Sequence, residues 1–250
     1  MELIVLGTGG TWPNAGGATA GFLVRHEGFN LWLDAGSGTL SRLLEFINMG
    51  DIHAVAVSHE HPDHFVDLYS CFYARFYGEE GENGLPLYAP TGMYDKVASI
   101  LSIDSQAVMS VAFDVRETRP GDAFEVGPFR VQTGLMAHLG LSALGFRIQA
   151  DGAVLAYSGD SGPTPVLVDL ARDADLFLCE ATWQDRTDLQ PFHLSARQAG
   201  EHAAQSGAER LMLTHLWPSL EPGLSLEQAG QAFDGEILLA VEGERLKVGE

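Results

Sequence analysis

Lysine is nearly missing from this sequence. Two of its fourteen basic residues are Lys, Lys96 and Lys247, against thirty-four Asp and Glu. The formal charge is −20 at pH 7, and the arginines are scattered along the chain. That argues against the broad basic surface with which nucleic-acid binders track phosphates. A small anionic substrate stays open, because bound divalent cations reverse the sign of the field locally. Cysteine is as scarce. Cys71 and Cys179 stand apart, form no CxxC pair and no disulfide framework, and fit a reducing cytoplasm. No apolar run approaches the roughly 18 residues of a membrane-spanning helix, so no membrane partner is expected. Met1-Glu2-Leu3-Ile4-Val5-Leu6 lacks a basic flank and reads as a first strand, not a signal peptide. A dinucleotide fingerprint is also missing. GxGxxG starting at Gly7 would need glycine where Trp12 stands. The glycines of Gly7-Thr8-Gly9-Gly10 are read as allowing tight turns beside a site. With no linker or low-complexity stretch, one domain over 1–250 is expected.

What is present is a long run of short apolar segments. Strands are expected at 2–6, 20–26, 29–33, 52–58 and 85–89 in the first half. In the second half they are expected at 111–117, 129–137, 143–150, 154–157, 176–179, 211–214 and 237–241, the last as a buried strand, with an edge strand at 245–248. Helices are expected near 40–47, 65–77, 92–101, 165–171, 195–206 and 226–233, with Ser195 as an N-cap. Residues 78–84 read as an acidic loop. Strands come in runs broken by single helices, which fits an α/β chain built as a four-layer αββα sandwich: two mixed β-sheets flanked by helices. The helix over 65–77 is dense in aromatic residues, Phe65, Tyr69, Phe72, Tyr73, Phe76 and Tyr77. These can line a substrate mouth, pair two copies into a homodimer, or simply face the core.

The chain is organised around His59-Glu60-His61-Pro62-Asp63-His64, with four metal-ligating side chains in six residues. Alternation sends His59 and His61 the same way from an extended backbone. Pro62 then turns the chain into a helix and aims Asp63 and His64 at a second point. Three further ligand types each follow an apolar run: His138 after 131–137, Asp160 after 155–159 and His215 after 211–214. Their expected metal roles are His59, His61 and His138 on one ion; Asp63, His64 and His215 on a second; and Asp160 bridging. The cofactors expected are two divalent ions per chain, zinc first, with manganese or iron fitting the same donors. Hydroxide held between two cations is a nucleophile near neutral pH. Candidate catalytic residues are Asp63, Glu180 and His193. The last two form a possible acid with its orienting carboxylate; the alternative is that His193 caps a helix and Glu180 supports a ligand.

His59-x-His61-x-Asp63-His64, with His138, Asp160 and His215, resembles the metallo-β-lactamase-fold hydrolase superfamily across nearly the whole chain. The resemblance implies the αββα sandwich with a dinuclear site at one edge, and Asp34 ordering the ligand loop without binding metal. Leu6-Gly7-Thr8-Gly9, Glu180-Ala181-Thr182 and His193-Leu194-Ser195 are similar to elements of the ribonuclease Z and phosphodiesterase branch. There the His contacts the scissile phosphate or leaving group and the Glu supports it. Ribonuclease Z carries a tRNA-gripping arm between its third His and bridging Asp. Here residues 139–159 have room only for a strand pair and a turn. The expected function is therefore a metal-dependent phosphodiesterase on small or cyclic phosphodiesters. A nuclease on single-stranded nucleic acid and a lactonase or thioesterase are the alternatives.

Overall fold

The computed structural model describes residues 1–78, 84–185 and 191–249. Fourteen strands follow one another among the described residues. The first six are β1 (Glu2–Gly7), β2 (Gly21–His26), β3 (Phe29–Leu33), β4 (Ala54–Ala56), β5 (Leu85–Pro90) and β6 (Phe113–Thr118). Next come β7 (Ala123–Val126), β8 (Phe129–Leu135), β9 (Leu144–Ala150), β10 (Ala153–Tyr157) and β11 (Leu176–Glu180). The chain closes with β12 (Arg210–Thr214), β13 (Glu236–Leu239) and β14 (Arg245–Lys247). The helices are α1 (Thr39–Leu43), α2 (Pro62–Phe65), α3 (Leu68–Tyr77), α4 (Met93–Ala98) and α5 (Ile103–Gln106). They continue with α6 (Met109–Ala112), α7 (Pro165–Leu170), α8 (Ala196–Ser206) and α9 (Pro222–Gly230).

Two seven-stranded sheets form, in the orders β14-β1-β2-β3-β4-β5-β6 and β13-β12-β11-β10-β9-β8-β7. Each is antiparallel on one side and parallel on the other, with β3 to β6 parallel in the first and β10 to β13 parallel in the second. The four layers follow from strands that are apolar on both faces. Leu3 and Val5 of β1 face the core between the sheets, while Ile4 and Leu6 face the layer of α1 to α4 and α6. In β11, Leu176 and Leu178 face between the sheets, and Phe177 and Cys179 pack under α7 to α9. This is the αββα sandwich. The arrangement brings the C-terminal ends of β3, β4, β8, β10, β11 and β12 to one edge, where α/β folds gather their chemistry. No described helix is long and apolar enough to cross a membrane.

Several expectations need correction. The strand expected at 237–241 is not buried: β13 lies at the edge of its sheet, and Ile237, Leu238 and Leu239 are half-buried. The strand β7 was not expected, because one face of this edge hairpin is solvent-exposed and its apolar pattern is short. The helix expected over 226–233 starts at Pro222, which occupies its first turn, and ends at Gly230. The helix expected over 65–77 is broken into α2 and α3. At the break the Asp67 N–H donates to the Ala35 carbonyl, and the Asp67 carboxylate accepts from the Leu40 N–H. By contrast, Ser195 caps α8 as expected, in a capping box with Gln198. Of the loop expected over 78–84, residues 79–83 lie outside the described residues.

The aromatic helix splits its roles. Phe65 and Phe72 are buried in the core under the first sheet, whereas Tyr73 and Tyr77 are exposed. A charge at Phe72 therefore does not probe a pairing surface. Phe72→Glu is expected to destabilise the fold by at least about 4 kcal/mol, the sum of a lost core aromatic and a buried carboxylate. Tyr73→Glu on the exposed face is expected to shift stability by less than about 0.5 kcal/mol. Urea midpoints of the two variants check both values.

Candidate metal centre

The local backbone places the His-rich loop. Strand β4 ends at Ala56, the Val57 N–H still bonds the Tyr88 carbonyl of β5, and Ser58 is then taken up by Asp34. The Ser58 N–H donates to Asp34 Oδ1 at 2.6 Å, and the Ser58 hydroxyl donates to Asp34 Oδ2 at 2.8 Å. His59 follows, the chain bends at Glu60 and His61, with His61 itself extended, and Pro62 starts α2 with Asp63 and His64 in its first turn. Gly10 lies against the far side of the site. A Cβ there would fall 2.4 Å from the His215 carbonyl oxygen and 2.9 Å from its Nδ1, so only glycine lets this loop approach. His215 itself takes φ +59°, a left-handed conformation that the surrounding packing must hold in place.

The structure brings all seven expected ligands together in two groups that share Asp160. His59, His61, His138 and Asp160 form one, and Asp63, His64, Asp160 and His215 the other, with the candidate donor atoms of each group within 4.8 Å of one another. The Asp160 carboxylate faces both ways. Its Oδ1 lies 3.2 Å from His64 Nε2 and 3.3 Å from His215 Nε2. Its Oδ2 lies 3.8 Å from His59 Nε2 and 3.9 Å from His138 Nε2. Asp63 Oδ2 sits 3.4 Å from His215 Nε2 and accepts the Thr11 N–H at 3.0 Å.

The other nitrogen of four imidazoles is engaged by the protein. His138 Nδ1 donates to the Phe192 carbonyl at 2.8 Å, and His64 Nδ1 bonds the Asp34 carboxylate at 2.8 Å. His215 Nδ1 bonds Thr182 Oγ1 at 2.8 Å, and His59 Nδ1 bonds Ser58 Oγ at 3.0 Å. Such bonds fix the tautomer and present Nε2 to the cluster. His61 differs, turning its Nδ1 to within 3.1 Å of His138 Nε2. Within the cluster, His59 Nε2 and Asp160 Oδ1 are buried yet make no hydrogen bond among the described residues. Orphaned buried polar atoms at the centre of converging donors are what a cation between them resolves. The residues present thus fit two divalent ions.

The charges around the cluster pull in opposite directions. Burial, with His64 beside it, holds the His59 pKa well below the ordinary histidine value. Burial likewise lowers His61 and His138. Burial works against a charged His64 too, but the Asp160, Asp63 and Asp34 carboxylates outweigh it and push its pKa well up. Asp160 is disfavoured as an anion by burial, yet His215 and His64 hold its pKa well below the usual carboxylate range.

Beside the second group lies the pair Glu180 and His193. His193 Nδ1 is 2.9 Å from Glu180 Oε1, which also accepts the Ser161 N–H at 2.6 Å. Thr182 Oγ1 donates to Glu180 Oε2 at 2.6 Å and so accepts from His215 Nδ1, linking the pair to the metal group. Burial alone would lower the His193 pKa, but the Glu180 carboxylate and its hydrogen bond raise it to about 9.

The family described as "Beta-lactamase superfamily domain" matches residues 30–216. That span holds Asp34, the pair Glu180 and His193, and every member of the two metal groups. The chain belongs to the beta-lactamase superfamily. Among similar proteins, ML1173 of Mycobacterium leprae is 35% identical over 256 residues, covering 99% of this chain and 89% of that one. "Probable metallo-hydrolase YhfI" of Bacillus subtilis is 28% identical over 248 residues, covering 97% and 98%. The crystal structure of YhfI, a metallo-β-lactamase fold protein, superposes with a TM-score of 0.88 at 25% identity, covering 98% and 99%. A ribonuclease Z of Mycolicibacterium gilvum is 28% identical over 275 residues, covering 99% and 96%.

Against the superfamily's fold, three contributors went unnoticed in the sequence. Thr182 lies inside the Glu-Ala-Thr element but had no role assigned. Ser58, one residue before the first His, and Tyr157, at the end of β10, both bond Asp34. For Tyr157 the available signal was a hydroxyl-bearing residue at the end of the otherwise apolar β10; Ser58 and Thr182 lie two residues past their strands and carry no comparable signal. His26, His53 and His202 lie away from the cluster: His26 bonds Asp151, His53 accepts from the Asn30 N–H, and His202 donates to the Gln198 carbonyl.

Proposed function

We propose that this chain is a dinuclear metal-dependent phosphodiesterase acting on small or cyclic phosphodiesters. His59, His61 and His138 would hold one ion, Asp63, His64 and His215 the other, and Asp160 would bridge them. The observation that carries the reading is the Glu180–His193 pair set beside a two-faced Asp160. When bound, the ions supply acidified water and stabilise charge developing on a phosphoryl oxygen. Imidazole and carboxylate donors without thiolate suit zinc, manganese or iron. His193 keeps its Nδ1 proton on Glu180, which leaves Nε2 to carry a second proton toward a departing alkoxide. Glu180 positions that ring and stabilises its cation; Thr182 ties the same carboxylate to His215. Asp63, held by the Thr11 N–H, would hold the second ion through its carboxylate and orient water there.

The similarity to a ribonuclease Z supports a nuclease as the second reading. The net charge of −20 weighs against it, because a polyanion would meet repulsion outside the metal site.

Purified protein loaded with zinc or with manganese is expected to hydrolyse bis(p-nitrophenyl) phosphate, and chelation is expected to abolish it. His193→Ala is expected to lower kcat by about 100- to 10,000-fold, the span of general acid catalysis. Inert phosphodiesters beside brisk lactone or thioester turnover would defeat the proposal. Unchanged phosphodiester turnover in His193→Ala would remove its proton-donor role.

A further inference from the structure

The loop between β1 and β2 reaches the second metal group, and one of its residues holds a conformation that its side chain resists. Thr11 takes φ +65°. Seven non-glycine residues among those described have a left-handed φ, and Thr11 is the one with a β-branched side chain. A left-handed backbone presses Cβ against the following carbonyl oxygen, and at a branched Cβ it is a genuine outlier. Glu27 and Asp151 differ, because each precedes a glycine in a two-residue hairpin turn where left-handed backbone is the ordinary geometry. Around Thr11 the turn is tighter. The Trp12 N–H donates to the Gly10 carbonyl at 2.8 Å, closing a three-residue turn with Thr11 at its centre. With a positive central φ this is the rare, strained form of the γ-turn. Glycine takes such a turn freely. Glycines stand at 9, 10, 16 and 17 of the same loop, so reversing the chain does not require a β-branched residue in the strained position.

The turn gives one N–H its direction. Gly9, just before it, is bridged as in a sheet to Thr19 and to Leu216. Past the reversal the Thr11 N–H points at Asp63 Oδ2, 3.0 Å away. That oxygen also lies 3.6 Å from His64 Nε2 and 3.4 Å from His215 Nε2, so the amide holds the carboxylate atom that faces the second group. The same loop braces the far side of that group. The Gly10 N–H donates at 3.2 Å to the carbonyl of Leu216, one residue past His215, and His215 is itself left-handed at φ +59°. His59, His61 and His138 of the first group have no such conformation. The two groups are therefore held differently, the second against a loop under strain.

We infer that Thr11 is a positioning residue for the second ion. Its strained turn aims one amide at Asp63 Oδ2, fixes the orientation of that carboxylate, and sets the affinity of the second group apart from the first. An amide donor on a ligating carboxylate acts as the outer bonds on the ligating imidazoles do. The bond to Asp63 offsets part of the strain, so turn and ligand hold each other in place. The inference rests on the reading of Asp63, His64 and His215 as an ion site, and adds to it a residue that acts through its backbone.

Three substitutions at Thr11 separate the parts. Thr11→Gly and Thr11→Ala keep the N–H, whereas Thr11→Pro removes it and fixes φ at about −65°. In the metal-free protein Thr11→Gly is expected to have a higher urea midpoint than Thr11→Ala, the reverse of the order at an unstrained site. Isothermal titration with zinc and with manganese reads the ions. Wild type, Thr11→Gly and Thr11→Ala are expected to bind two ions per chain. Thr11→Pro is expected to bind one ion as wild type does and the other about 10- to 100-fold more weakly, the scale for losing a bond that orients a ligand. Equal weakening of both ions, or of neither, would refute the positioning role. A midpoint for Thr11→Ala at or above that of Thr11→Gly would remove the strain from the account. Amide exchange measured by NMR decides the matter if Thr11→Pro does not fold. Thr11 is exposed, yet its N–H is expected to be protected in wild type and to lose protection in Asp63→Ala. An unprotected Thr11 amide in wild type would sink the inference. Wild type that binds no ion would overturn the two-ion reading, while the urea order and the amide exchange would still decide the turn.

Discussion

Asp160→Asn is expected to reduce hydrolysis by about 1,000-fold or more, because it removes the one anion common to both metal groups. The carboxylate is 2% exposed and turns one oxygen to each group. Asn has the same shape but presents one acceptor and one NH2 donor. Whichever way it turns, an N–H faces imidazole nitrogens that should be offering lone pairs. One of the two proposed ions would then lose its Asp160 oxygen, and the pair would lose the negative charge between them. The expected metal content falls from two ions per chain to one or fewer, measured by atomic absorption after repletion. A variant that keeps two ions and full turnover would show that Asp160 does not bridge.

Asp34→Ala is expected to be the most damaging substitution for stability outside the apolar core. Asp34 is fully buried and takes φ +56°, a conformation that Asp tolerates and Ala resists. Its carboxylate receives the Ser58 N–H at 2.6 Å, the Ser58 hydroxyl at 2.8 Å, the Tyr157 hydroxyl at 2.7 Å and His64 Nδ1 at 2.8 Å. Truncation removes the acceptor of all four at once, leaving the Ser58 hydroxyl oxygen only its imidazole neighbours His59 and His64. The expected loss is about 3–5 kcal/mol, the range for breaking a buried charged partnership from one side. His64 also loses the bond that aims its Nε2 at the cluster, so one ion should be lost with it. Urea unfolding and metal analysis read the two effects separately. Asp34→Asn, which keeps one acceptor, should fall between wild type and Ala. An Asp34→Ala variant with an unchanged urea midpoint would refute this account.

Much of the candidate site could be read before any fold was known. The alternation of His59 and His61, the turn at Pro62, and the short step to Asp63 and His64 are local geometry, set by strand period and by proline. His138, Asp160 and His215 each follow an apolar run. Strands that share a direction end at a common edge, so their positions along the chain already implied a meeting point. The layered architecture was legible for the same reason, since runs apolar on both faces demand cover on both sides.

What sequence order could not supply is the result of packing between distant segments. Asp34 joins Ser58 to Tyr157 across the gap between the two sheets, and nothing in either neighbourhood announces that bond. Whether Phe72 or Tyr73 met the core depended on how α3 was rotated against the first sheet. Trp12, Trp183 and Trp217, far apart in the chain, meet because the loops after β1, β11 and β12 lie together. Local periodicity records which faces a segment must hide; only the assembled sheets decide which partners those faces find.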